Sequence, residues 1–235
     1  MNNTNNVSAR MTYENARDIM YKAWIGSFNN DSVACNNWVN GRKFSQHEVR
    51  LEVELNTTSA RFAFAVTANQ SNSTNVIFNT ENRLALQDTL VVSEYGIFVG
   101  QPSSRTDTTW VLNTYGNTQV FAAADAAALD STFYSHGHLE TRVNNDVIIP
   151  YRGLFNHWYK PQTQQTAALG PASPKDQLRG AEDGCITQEG NLMLVGSKNY
   201  IPEIVLPTAM ASAAAFMRCV LLYRGVLAQN STVIN

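Results

Sequence analysis

Residues 49–55 read Val49-Arg50-Leu51-Glu52-Val53-Glu54-Leu55, apolar and charged side chains in strict alternation. Successive side chains of a strand point to opposite faces. This pattern therefore places Val49, Leu51, Val53 and Leu55 on one face and Arg50, Glu52 and Glu54 on the other, as in a half-buried strand of an antiparallel sheet. Asn56 to Ala60 reads as a turn. Phe62, Phe64 and Val66 then resume the alternation, which predicts a hairpin partner. The longest strand signal closes the chain, from Phe216 to Ala228. There Val220, Leu222 and Val226 alternate with Cys219, Leu221 and Tyr223, apolar on both sides, so this strand is expected at the centre of a sheet.

Other strand signals lie between these two. Leu90 to Val99 is apolar except at Ser93-Glu94, where a bulge or bend is expected. Val76-Ile77-Phe78 is a short strand, and Thr108 to Tyr115 is another with Trp110 and Leu112 on one side. Leu139–Val143 and Val147–Pro150 flank the tight turn Asn144-Asn145-Asp146. Leu192–Val195 and Glu203–Leu206 complete the set.

Helical signals are few. Residues 1–10 are polar and read as a disordered arm. Over 12–25, Tyr13, Ala16, Met20, Ala23 and Trp24 form one stripe at helical spacing. Such an amphipathic helix packs on its own domain, docks on a neighbouring subunit or lies on a lipid surface. The first is the default, and mixed charge argues against a strong anionic-lipid anchor. Ala122 to Leu129 is a strong helix former, and Leu154 to Tyr159 is a short aromatic segment with helical character. Residues 29–47 read as connecting loop. Residues 160–190, with Lys160-Pro161-Gln162-Thr163-Gln164-Gln165 and Gly170-Pro171, read as one long loop.

Many short strands and few helices exclude a parallel α/β sheet. The expected fold is mostly β: an antiparallel β-sandwich of jelly-roll type with an N-terminal helix and one or two short inserted helices. Residues 1–45 form the arm and helix, and 46–235 the β domain with its loop at 160–190. Leu51, Val53, Phe62, Phe64, Leu90, Val92, Trp110, Leu112, Val220 and Leu222 are the expected core.

The 235 residues are 44% hydrophobic and only 15% charged, so much of the surface is neutral polar, rich in Asn, Thr, Ser and Gln. Such a surface loses little desolvation energy when a partner covers it. The net charge is −2, and Arg42-Lys43 is the only adjacent basic pair, which argues against nucleic-acid binding by a basic arm. Cys35, Cys185 and Cys219 are odd in number and form no CxxC pair, which speaks against a zinc site or a disulfide framework. The opening Met-Asn-Asn-Thr-Asn-Asn lacks the features of a signal peptide, and no apolar run has the length of a spanning helix, so synthesis in a cytosol is expected.

Neither a nucleophile elbow, nor a zincin helix, nor a phosphate-binding glycine loop is present in the sequence. The strongest metal candidate is His136-Gly137-His138 with Glu140. On a strand these side chains would share a face, and His157 or His47 would have to complete the set. One His-x-His arises easily by chance, so surface or turn histidines are the favoured reading, with no catalytic, cofactor or metal residue assigned. Trp24, Trp38, Trp110 and Trp158 are candidates for a sugar-stacking platform, with Trp110 read as core and Trp158, beside Tyr159, as core or interface.

A polar arm, a terminal helix, a many-stranded domain with a Pro/Gln loop and a buried last strand together resemble a viral or bacteriophage jelly-roll capsid protein. The stretches that carry the likeness are Arg83-Leu84-Ala85-Leu86-Gln87-Asp88, Lys160 to Gln165, and Leu221-Leu222-Tyr223-Arg224-Gly225-Val226-Leu227-Ala228-Gln229-Asn230. The likeness implies a shell protein, self-assembling as trimers or capsomers of an icosahedral virion, non-enzymatic, with residues 1–25 and 160–190 as inter-subunit contacts. It allows other virion proteins as partners and contact of the N-terminal helix with an internal membrane. The arm lacks the Arg/Lys cluster with which many such arms hold a genome, and the length leaves the choice between one roll and two open. The alternatives are a spike or receptor- or carbohydrate-binding β module and, behind it, a cupin-like metalloenzyme using His136 and His138.

Overall fold

A computed structural model describes residues 4–64, 84–107, 109–143, 146–159, 184–187, 192–198 and 200–231. Among them the chain is mostly β, with nine strands in two antiparallel sheets. The first sheet holds β1 (Lys43–Glu54), β9 (Arg218–Gln229), β3 (Thr89–Gly100) and β6 (Cys185–Thr187) in that order, and the short β7 (Met193–Val195) also pairs with β3. The second holds β2 (Arg61–Ala63), β8 (Tyr200–Val205), β4 (His138–Val143) and β5 (Asp146–Gly153) in that order. Leu90, Ile97, Leu221 and Tyr223 of the first sheet share one apolar core with Phe62, Leu139 and Ile204 of the second, the arrangement of a β-sandwich.

β9 lies between β1 and β3 and is buried on both faces, as its two-sided apolar pattern requires. Cys219, Leu221, Tyr223 and Leu227 point into the inter-sheet core. Val220 and Leu222 point the other way and pack with Phe98, Trp110 and Leu112, so four of the expected core residues form a separate outer cluster. Further along the same outer face, Val226 and Ala228 pack against Ala16, Met20, Cys35 and Val39. These four belong to α1 (Thr4–Trp24) and α2 (Ser32–Asn40). The stripe of α1 is thus seated on its own sheet. Ala23 is exposed instead, and Ile19 and Tyr21 take part.

The bulge expected at Ser93-Glu94 falls there: the β3–β9 register shifts between Val92 and Glu94. Opposite it, a Cβ on Gly225 would stand 2.0 Å from the Val91 carbonyl oxygen, so only glycine lets the two backbones approach this closely. α3 (Ala123–Ala128) runs on into a π-helical turn at Leu129–Tyr134 and covers part of the core with Leu129, Phe133 and Tyr134. Leu154–His157 forms a 3₁₀ turn.

Five expectations differ from the structure. Residues 4–10, read as part of a disordered arm, are instead the first turns of α1, whose helix starts at Thr4 rather than near residue 12. β2 is no hairpin partner of β1. It pairs with β8 in the other sheet, because the turn at 56–60, held by Asn56 Oδ1 accepting from the Thr58 and Ser59 amides, carries the chain across the sandwich. Residues 29–47 are not simply loop. Asn29 and Asn30 adopt left-handed backbone (φ 52 and 62), and Asp31 caps α2 by accepting from the Val33 and Ala34 amides. β1 begins at Lys43, within the same stretch. Residues 109–115 make no continuous strand, only a single bridge between Asn113 and Val99. Finally, β6 lies inside the segment read as the 160–190 loop. The strand expected at 76–78 and the loop residues 160–183 lie outside the described residues.

Candidate functional site

The four histidines do not converge. His136 sits exposed at the end of the helical segment that follows α3, whereas His138 opens β4. The common strand that would have aligned them does not exist. The His138 ring stacks on Tyr151 of β5, with centroids 4.6 Å apart and planes at 27°. His157 is buried in the sandwich, edge-on to Tyr95 at 4.8 Å, and His47 lies on β1 opposite Gly225. Among the described residues no group of three or more His, Cys, Asp or Glu could hold a metal ion. Glu140, the carboxylate of the metal candidate, is engaged by cations instead.

Those cations belong to the solvent-side face of the second sheet. Glu140 of β4 and Glu203 of β8 are direct cross-strand neighbours, a repulsive pair if left alone. Arg61 of β2 resolves it, with its guanidinium 2.5 Å from Glu203 and 3.6 Å from Glu140. Arg142 adds a contact of 3.0 Å to Glu140. The Glu203 carboxylate in turn raises the pKa of Arg61, chiefly by hydrogen bonding. Beside this network Tyr151 is 64% and Ile201 37% exposed, with His138 holding the Tyr151 ring from beneath. This face can stack a flat apolar group and offer fixed polar atoms next to it.

The outer face of the first sheet carries a second polar cluster, and it is closed. Arg218 and Glu52 are each 2% exposed in their side chains and form a 3.0 Å ion pair. Arg218 also donates to the Arg105 carbonyl, and the guanidinium groups of Arg50 (5.3 Å) and Arg218 (5.9 Å) both lie against the Trp110 ring. Residues 101–107 and 109–113 are thereby strapped over the sheet, and the Trp110 ring rests on Gly100, where a Cβ would meet it at 2.1 Å. Sequence reasoning missed this pair, since Glu52 reads as an ordinary outward residue of an alternating strand.

The tryptophans likewise form no shared platform. Trp24 and Trp38 meet edge-on at 6.3 Å in the helical layer, Trp110 is in the strap, and Trp158 donates its indole N–H to Asp130. All three cysteines are buried and unbridged. Burial raises the pKa of Cys219, and to a lesser extent that of Cys35. Among the described residues no helix is long and apolar enough to cross a membrane, which says nothing of crossing by strands. No family model matches the chain, and no curated protein or solved structure matches it.

Proposed function

We propose that the chain is a structural shell protein of a virus or bacteriophage, a jelly roll that self-assembles into capsomers of an icosahedral virion. One observation carries the reading. β1 pairs with β9, β2 with β8, β3 with β6 and β4 with β5, each pair nested inside the one before. Such nesting arises when a single long hairpin of eight strands is wrapped into two sheets, with β7 as a small addition. This nesting supports the jelly-roll reading, and jelly rolls serve capsid proteins as well as lectin domains and cupins. Among these uses, a chain with only 15% charged residues favours the one in which most of the surface is covered by other copies. The test is electron microscopy of the chain expressed alone and of its native particle. Closed shells support the reading, and a uniform field of small discrete molecules at high concentration overturns it.

A carbohydrate-binding module of a spike or fibre is the second reading, favoured by Tyr151 alone: an exposed aromatic ring already fixed by a stack on its other face. Glycan-array binding that is lost in Tyr151→Ala, with the fold intact, would shift the weight to it.

A further inference from the structure

Among the described residues, β1 is paired on one edge only, with β9, over the full length Lys43–Glu54. A twelve-residue strand with a bare edge is a template for another strand. The backbone groups aimed at that edge can be read from the ladder. The Leu55 amide donates to the Met217 carbonyl, so odd-numbered residues of β1 direct their N–H and C=O toward β9. Phe44, Gln46, Glu48, Arg50, Glu52 and Glu54 therefore direct theirs outward. We propose that this edge pairs with the same edge of a second copy of the chain, antiparallel about a two-fold axis at Val49, joining two first sheets into one continuous sheet.

The side chains select both the partner and the register. An antiparallel partner must keep core-side residues opposite core-side residues, so the registers compatible with one continuous sheet are centred on Glu48, Val49, Arg50 or residues two or more steps away. Centring on Glu48 sets that carboxylate against its own symmetry mate. Centring on Arg50 sets Arg50 against Arg50 and Glu48 against Glu52. Centring on Val49 sets Glu48 against Arg50 twice, once on each side of the axis, and Val49 against Val49 on the core side. Glu48 now pairs with Arg224 at 3.0 Å with its side chain 41% exposed, and Arg50 holds Glu52 at 2.7 Å with its side chain 27% exposed, so the contact across the axis would be a second partner for each. A symmetric interface of this kind is the commonest contact between copies of one chain. The inference rests on the shell reading for its place in the molecule's life, since it names one contact from which such a shell would be built.

The experiment uses the full chain, with mass read by light scattering after gel filtration. Glu48→Arg and Arg50→Glu each create two like-charge contacts in the Val49-centred register, and each variant alone is expected to lose the dimer. Mixing the two variants restores both opposite-charge contacts, so the mixture is expected to regain it as a heterodimer. A Glu48→Arg protein that folds and remains dimeric overturns the proposal, as does a mixture of folded variants that stays monomeric. Should either variant fail to fold, Glu48→Cys mixed with Arg50→Cys decides. In that register the two positions face each other across the axis with Cα atoms about 5.5 Å apart, within disulfide reach, and both side chains are partly exposed, while the native cysteines are buried. Cross-linking to a dimer under mild oxidation upholds the contact, and its failure overturns it. Shells that persist intact in Glu48→Arg would overturn the contact and leave the shell reading standing. A β1-linked dimer that never grows larger would do the reverse.

Discussion

Arg218 is the residue on which the outer face of the first sheet depends. Its guanidinium and the Glu52 carboxylate are both removed from water, so each needs the other more than the fold needs the pair. Arg218→Ala is expected to cost about 1–3 kcal/mol in denaturant unfolding, because Oε2 of the buried Glu52 carboxylate loses its cation while Arg50 still holds Oε1 at 2.7 Å. The joint replacement Glu52→Leu with Arg218→Met should recover most of that loss, and equal costs for the single and joint variants would refute this account. Gly225→Ala should destabilise by at least about 1–3 kcal/mol, because the new methyl would collide with the Val91 carbonyl. Asp107 sets a pH expectation. Amide and hydroxyl donors of Ser103 and Thr109 hold its carboxylate ionised well below the usual aspartate range. A depressed folded value means that the turn's contribution is present above the unfolded pKa and lost only as pH falls through the lower folded one. Carboxyl NMR should therefore show Asp107 still charged where ordinary aspartates have titrated. These residue-scale features were the least legible in the sequence. Nothing around Glu52 marks a partner far along the chain, at Arg218, and His136-Gly137-His138 looks like a metal pair until the helix end between the two rings is known.

At the scale of elements, legibility followed the strength of the period. β9, its two-sided burial, the bulge beside Ser93, the β4–β5 hairpin and the helix at Ala123–Ala128 could all be read, because long apolar runs and alanine stretches leave few alternatives. The turn at 56–60 was read as a hairpin because local pattern cannot distinguish a turn within a sheet from one that crosses to the other sheet. α2 was missed because Asn29-Asn30-Asp31, taken as loop composition, is a left-handed turn followed by a cap. Asp31→Ala should accordingly cost about 0.5–2 kcal/mol. The helical layer as a whole covers Val226, Ala228 and Val91, which would otherwise face solvent. Met20→Ala should cost about 2–5 kcal/mol. Removal of residues 1–24 should expose an apolar sheet face that binds a hydrophobic dye, and a truncated protein as stable and soluble as the parent would contradict the packing described.

For the whole molecule, the nested pairing of eight strands matters more than any single contact. The sequence showed strands, not their order, because order depends on which turns cross the sandwich and on pairings between strands far apart in the chain. The inward side chains of both sheets close one core, and the helices and the Trp110 segment each cover part of the first sheet's outer face. Among the described residues, the mixed aromatic and ion-pair face of the second sheet and the unpaired edge of β1 are available to partners. A chain of 26.0 kDa that works as a shell subunit must be found at many times that mass. The most direct measurement is the mass of the native particle by light scattering. The account predicts a narrow distribution of very large, closed assemblies, and a mass that stays at one or a few chains as concentration rises would contradict it.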